Sequence, residues 1–175
     1  LLIAVILQTV VLFAMVGMKQ WTLSTGTQVL LETSPIDPRS LFRGDYVRLN
    51  FSINSLPSNL PGTPKALKKG ETVYVSLRQA GELWHPVSIH LEHPEPVSGT
   101  VVIKGEARRN WRPPRTLPIV YGIEEFFVPE GEGRAIERPP PGSKINILVA
   151  IDKYGNAGIK AVLVDGVSRY EESLF

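Results

Sequence analysis

The first eighteen residues, Leu1 to Met18, carry no charge, and only Gln8 and Thr9 interrupt them with clearly polar side chains. A helix rises about 1.5 Å per residue, so such a run is about 27 Å long, close to the hydrocarbon thickness of a bilayer. It ends in Lys19-Gln20-Trp21, a cation and an aromatic ring where a membrane–water boundary favours them. A core helix of a soluble domain is a poorer fit, because the run has no polar face to turn towards water. A secretory signal also competes, with Ala14-Met15-Val16 as a loose cleavage site, but signal cores are about 7–15 residues and this run is longer. The expected organisation is one transmembrane helix over 1–21, in contact with the lipid bilayer, and one soluble domain over 22–175. After Lys19 the next basic residue is Arg39, and so sparse a positive flank favours an outward domain, periplasmic or lumenal. Gln8 and Thr9 could bond a neighbouring helix, worth about 1 kcal/mol or less, or Thr9 could bond its own backbone.

The charge balance, 19 basic against 17 acidic residues, gives no basic footprint for nucleic acid, so none is expected as a partner. Arg108, Arg109, Arg112 and Arg115 form a local basic cluster around Trp111. It reads as a solvated Pro-rich loop or as a docking loop for a protein or lipid headgroups. The absence of cysteine excludes disulfides, thiolate metal sites and cysteine nucleophiles. An outward domain of this kind must be held by its own core, and the length allows one.

Glycine and proline, fifteen each, punctuate short runs rich in Val, Ile, Leu, Tyr and Phe. That pattern predicts a mainly β domain, a small antiparallel barrel or sandwich. Tyr46 to Ile53 alternates strictly, with Val47, Leu49, Phe51 and Ile53 on one face, and so predicts a strand lying on a core. Thr72 to Gln79 repeats the device with Val73, Val75 and Leu77 inward. Thr27–Thr33, Gly99–Gly105, Ile123–Val128, Ile145–Ile151 and Ala157–Val164 complete the set. Turns are expected at Asp152–Asn156 and at Gly131-Glu132-Gly133, and a long loop or one helical turn over Asn54–Lys69. Pro113-Pro114 and Pro139-Pro140-Pro141 suit extended linkers or edges. Beyond the first segment, helical periodicity is confined at most to the last few residues.

Gly44-Asp45-Tyr46-Val47-Arg48-Leu49-Asn50-Phe51 resembles the signature of the GDYXXLXY family of bacterial membrane-anchored proteins, with Phe51 where the signature ends in Tyr. Pro38 to Arg43 resembles the approach to that motif. Tyr121 to Glu124 with Phe126 to Gly131 resembles a second block, and Val149 to Lys160 with Val164-Asp165-Gly166 a third. The resemblance implies an outward-facing domain on one anchor, in a bacterial inner membrane or a thylakoid membrane, and implies no reaction. On physical grounds the octapeptide is a turn feeding a strand: Gly44 suits a positive φ, Asp45 can accept from backbone amides or pair with Arg43 or Arg39, and Tyr46 opens the strand. A contact surface built from Arg43, Asp45, Tyr46 and Arg48 is the functional alternative. Phe126 and Phe127 must point to opposite faces of a strand, leaving one of them for a partner.

His85, His90 and His93 share one segment, where solvated histidines are the expectation and a metal set the alternative. A serine–lysine hydrolase would combine Lys104 with Ser24, Ser34 or Ser40, but no protease-like sequence surrounds any of these serines. Asp37, Asp45, Asp152 and Asp165 adjoin turns, where Asp is favoured for backbone reasons. The expectation is therefore a non-enzymatic, single-pass accessory subunit or assembly factor whose partners are integral membrane proteins of a larger complex. No catalytic residue, metal or cofactor is expected. The candidate contacts are Gln8, Thr9, Arg43, Asp45, Tyr46, Arg48, Arg108, Arg109, Trp111, Arg112, Phe126 and Phe127. A ligand-binding or sensing domain of the cell envelope is the alternative from a different class.

Overall fold

The structure, a computed structural model, describes residues 2–33, 46–127 and 143–172. Helix α1 (Leu2–Thr25) is followed by β1 (Thr27–Glu32), β2 (Tyr46–Arg48), a 3-10 turn (Ser52–Asn54), β3 (Ser55–Leu56), β4 (Thr72–Ala80) and β5 (Leu83–His90). Then come β6 (Thr100–Ala107), β7 (Leu117–Val120), β8 (Glu125–Phe127), β9 (Ile145–Ile151), β10 (Ala157–Val164) and β11 (Val167–Glu171). The helix is long and apolar enough to cross a membrane, and its apolar window is not buried against the domain.

Two antiparallel sheets form the domain, ordered β1-β9-β10-β11 and β3-β7-β6-β4-β5, with β2 and β8 pairing as a short ribbon. Both sheets are open, so of the two expected architectures the sandwich is the one formed, and the described strands close no barrel. The reason lies in period two: each sheet has one strongly apolar face and buries it on the other. Val29 and Leu31 of β1 and Ile147, Val149 and Ile151 of β9 meet Val73, Val75 and Leu77 of β4 and Ile89 and Ile103 of β5 and β6 in one cluster.

The expected strands from Thr27, Thr72, Ile145 and Ala157 form, with Val73, Val75 and Leu77 fully buried. Other expectations change. The strand expected over 46–53 ends at Arg48; Leu49, Phe51 and Ile53 still face the core, but from an irregular segment and a 3-10 turn. Val167–Glu171 pair with β10 as β11, and residues 173–175, where helical periodicity was last allowed, lie outside the described residues. His85 and His90 stand on strand β5 and His93 beyond its end, and Pro86 is tolerated there because β5 is the edge of its sheet. The helix continues beyond Trp21 to Thr25, so its final turn belongs to the domain. The expected turn at 131–133 and the prolines at 139–141 lie outside the described residues.

Ile103 sits at 0% exposure in the central strand β6. Ile103→Ala is expected to cost about 2–5 kcal/mol, read as a lowered urea midpoint at unchanged slope.

Candidate functional site

Helix α1 enters the sandwich without a linker. Gly26 alone separates Thr25 from β1, and its N–H donates to Thr22 O at 2.9 Å. A β-carbon on Gly26 would come within 2.5 Å of Thr22 O and 2.9 Å of Ile151 N, backbone atoms that cannot yield cheaply. Leu23 is 3% exposed and rests on Gly158 of β10, where a β-carbon would meet its Cδ2 at 2.9 Å. The glycines thus let the last helical turn lie flat on β9 and β10.

Asp152, at the end of β9, ties the turn, the helix and the sheet together. Its Oδ1 accepts the N–H groups of Tyr154 and Asn156, each at 2.9 Å. Its Oδ2 accepts Asn156 Nδ2 at 2.9 Å and the Thr22 hydroxyl at 3.0 Å. Partial burial pushes the Asp152 carboxyl up, but these bonds from Asn156, Tyr154 and Thr22 outweigh it and hold it below its ordinary value. A depressed carboxyl contributes stability above its unfolded value and loses it as pH falls through the folded one. The junction is therefore expected to loosen on acidification, below about pH 4. Lys19 Nζ adds an ion pair to Glu172 at 3.3 Å, but both side chains are solvated, so the gain is about 1 kcal/mol or less.

Around the junction runs a cleft of about 680 Å³, lined on the helix side by Met18, Lys19, Trp21 and Thr22 and on the domain side by Ile123, Glu125, Tyr154 and Ile159 among others. It opens at the level where the apolar run ends.

A second polar bracket joins the two sequence blocks. The β2–β8 ribbon pairs Tyr46 with Phe127, Val47 with Phe126 and Arg48 with Glu125. Beyond it, Leu49 N donates to Glu124 O at 2.7 Å, and Phe51 N donates to Asn54 Oδ1 at 2.6 Å. Glu124 Oε1 accepts Tyr121 N at 2.6 Å and Asn54 Nδ2 at 2.8 Å, while Oε2 accepts Gly122 N at 2.9 Å. The buried Tyr121 hydroxyl donates to Ile53 O at 2.8 Å. Burial, and after it the Glu124 charge, push that phenol well above its ordinary value. Asn54, Tyr121 and Glu124 were not among the expected site residues, although Tyr121 and Glu124 fall within the second block and Asn54 stands just after the first.

The expected contact residues are scattered. Thr9 Oγ1 donates to Val5 O at 2.8 Å, so its hydroxyl serves its own helix, and Gln8 is exposed on that helix. Arg43 and Asp45 lie outside the described residues, as do the side chains of Tyr46, Arg48, Phe126 and Phe127. Arg108, Arg109, Arg112 and Arg115 are exposed on the loop between β6 and β7. Trp111 corrects the expectation of a contact residue: it is 4% exposed, its indole N–H donates to Arg115 O at 2.7 Å, and its backbone pairs with Leu67. An amphipathic ring in a Pro-rich loop served the core here, and it shapes the arginine loop from beneath.

Catalytic and metal geometries find these surroundings. Ser24 Oγ donates to Gln20 O at 2.7 Å within the helix, and Lys104 is exposed on β6. Ser34 and Ser40 lie outside the described residues. His90 Nε2 is within 2.9 Å of Ser88 Oγ and 3.2 Å of Ser76 Oγ, and His93 packs edge-on against Tyr74 with ring centroids 5.2 Å apart. Among the described residues no three His, Asp or Glu side chains gather as a metal set.

Asp152→Ala would orphan the Tyr154, Asn156 and Thr22 donors together. It is expected to cost about 1–3 kcal/mol, with amide exchange accelerating at 22–26 and 152–156 before the rest of the sheet. Glu124→Gln would turn an amide N–H₂ towards existing donors. A similar loss is expected there, read by chemical denaturation, with exchange accelerating at Leu49, Tyr121 and Gly122.

No curated protein and no solved structure matches the chain significantly. The family model described as GDYXXLXY protein matches residues 8–162, which takes in most of the helix, the Thr22–Asp152 junction and both polar brackets. The chain belongs to the GDYXXLXY family.

Proposed function

We propose that this protein is a non-enzymatic, single-pass accessory or assembly subunit of a larger membrane complex. Its helix would sit in the membrane and its sandwich on the periplasmic or lumenal side. The observation that carries this reading is the linker-free junction. A subunit that grips a partner both inside and outside the bilayer needs its two contact surfaces at a fixed offset. A rigid joint supplies that offset in advance, so the second contact forms with little further ordering cost. Gly26, the Thr22–Asp152 bond and the Leu23–Gly158 contact make such a joint. The exposed flank of α1 and the arginines of the β6–β7 loop are the surfaces it would present.

The junction cleft favours a second reading, a domain that binds a small envelope ligand at the membrane boundary. The two part company in one isolation experiment. Native membranes are solubilised gently and the protein is drawn out through a C-terminal tag. A stoichiometric membrane complex is expected, and Gly/Ser residues inserted after Thr25 should reduce its recovery about tenfold or more without preventing membrane insertion. Recovery of the protein as a lone monomer would overturn the subunit reading in favour of the ligand-binding one.

A further inference from the structure

The β9–β10 turn, Asp152 to Asn156, is held where the helix leaves its apolar run. Met18 is the last residue of that run and Lys19 the first charge. Thr22, which bonds Asp152 at 3.0 Å, stands only four residues beyond Met18. At about 1.5 Å per residue the turn is therefore about 6 Å above the apolar boundary. The headgroup region is about 5–8 Å deep on each side of the hydrocarbon core. A domain on a flexible tether could float clear of that layer, but this one is fastened without a linker.

The turn itself is rigid. Asp152 accepts three of its N–H groups, Gly155 takes φ +87°, and Gly155 O accepts Lys104 N at 2.9 Å from the neighbouring sheet. What this rigid turn offers outward is Tyr154, 63% exposed, with Lys153 Nζ 5.0 Å from its ring centroid. Tyr154 shares the junction cleft with Met18, Lys19 and Trp21, and Trp21 is itself 67% exposed. An amphipathic ring with a cation beside it is the chemistry that settles at lipid headgroups, the ring among the carbonyls and the ammonium at the phosphates.

We propose that the Lys153–Tyr154 turn is a second membrane contact, seated in the phospholipid headgroup layer beside Trp21. With the helix it would make a two-point mount that sets the domain's tilt. The inference rests on the helix spanning the bilayer, and its test separates the two. The chain has no cysteine, so single spin labels can be placed without background. The labels go on Tyr154→Cys, Lys153→Cys, Leu12→Cys in the apolar run, and Val167→Cys. Val167 follows the eight-residue β10, so it stands about 26 Å away from the turn along the strand.

The full chain is reconstituted in vesicles of phosphatidylethanolamine and phosphatidylglycerol, and each label's collisions with oxygen and with a water-soluble nickel chelate are compared. The expected result is a label at 12 reached by oxygen and shielded from nickel, a label at 167 fully open to nickel, and labels at 153 and 154 between them at headgroup depth. If 12 is in hydrocarbon but 153 and 154 match 167, the second contact is overturned and the anchor stands. If 12 is itself open to nickel, the anchor falls and the second contact with it.

Discussion

The architecture depends on a steric constraint at Gly26. Helix α1 and strand β1 can be consecutive only if the chain turns within one residue while passing close to the backbone of Ile151, and a β-carbon there would stand 2.5 Å from Thr22 O. Everything at the junction follows from that proximity. Thr22 comes within reach of Asp152, Leu23 finds the open surface of Gly158, and Lys19 meets Glu172, just beyond the end of β11. None of these contacts is strong alone. Together they turn a helix end, ordinarily a place of fraying carbonyls, into part of the sheet's packing.

The sandwich is fastened to itself by a different device. The first two of the three blocks that carry the family resemblance lie far apart in the chain, yet just after the first Asn54 reaches Glu124 across 70 positions and Tyr121 reaches Ile53 across 68. The bracket supplies acceptors to backbone donors that neither sheet pairs, next to the ribbon of β2 and β8. Buried polar networks of this kind are costly when partly satisfied, and here every arm has a partner. The octapeptide thus has a structural role through Leu49 and Phe51, whose side chains are buried, and the phenyl ring of Phe51 fills the core at 1% exposure. The structure accounts for the ring at that position without calling on a hydroxyl.

Together the two devices describe a domain that is stiff internally and stiff against its helix. On the subunit reading proposed above, that combination would carry the function, because a geometry fixed across the bilayer surface is what such a subunit contributes. The solvated arginines lie on a loop whose shape is set from below by Trp111, so even the polar surface is templated by the core.

Much of this was legible in the residues. The apolar run at the start, the strands from Thr27, Thr72, Ile145 and Ala157, and the inward face of Val73, Val75 and Leu77 were determined by the sequence alone. Helical length and period-two alternation are local properties that do not need a partner to be read. Strand β5 was hidden by Pro86 and its histidines, and β11 by a pattern with only Tyr170 buried, because edge strands are released from both hydrogen-bonding and alternation. Which aspartate would hold the helix, which aromatic would be core and not surface, and where the helix would stop were decided only by tertiary structure. Asp152 looks like any turn residue until Thr22, 130 positions earlier, is folded against it. Pairings across such separations leave no local period, so they exist as information only once the chain has closed on itself.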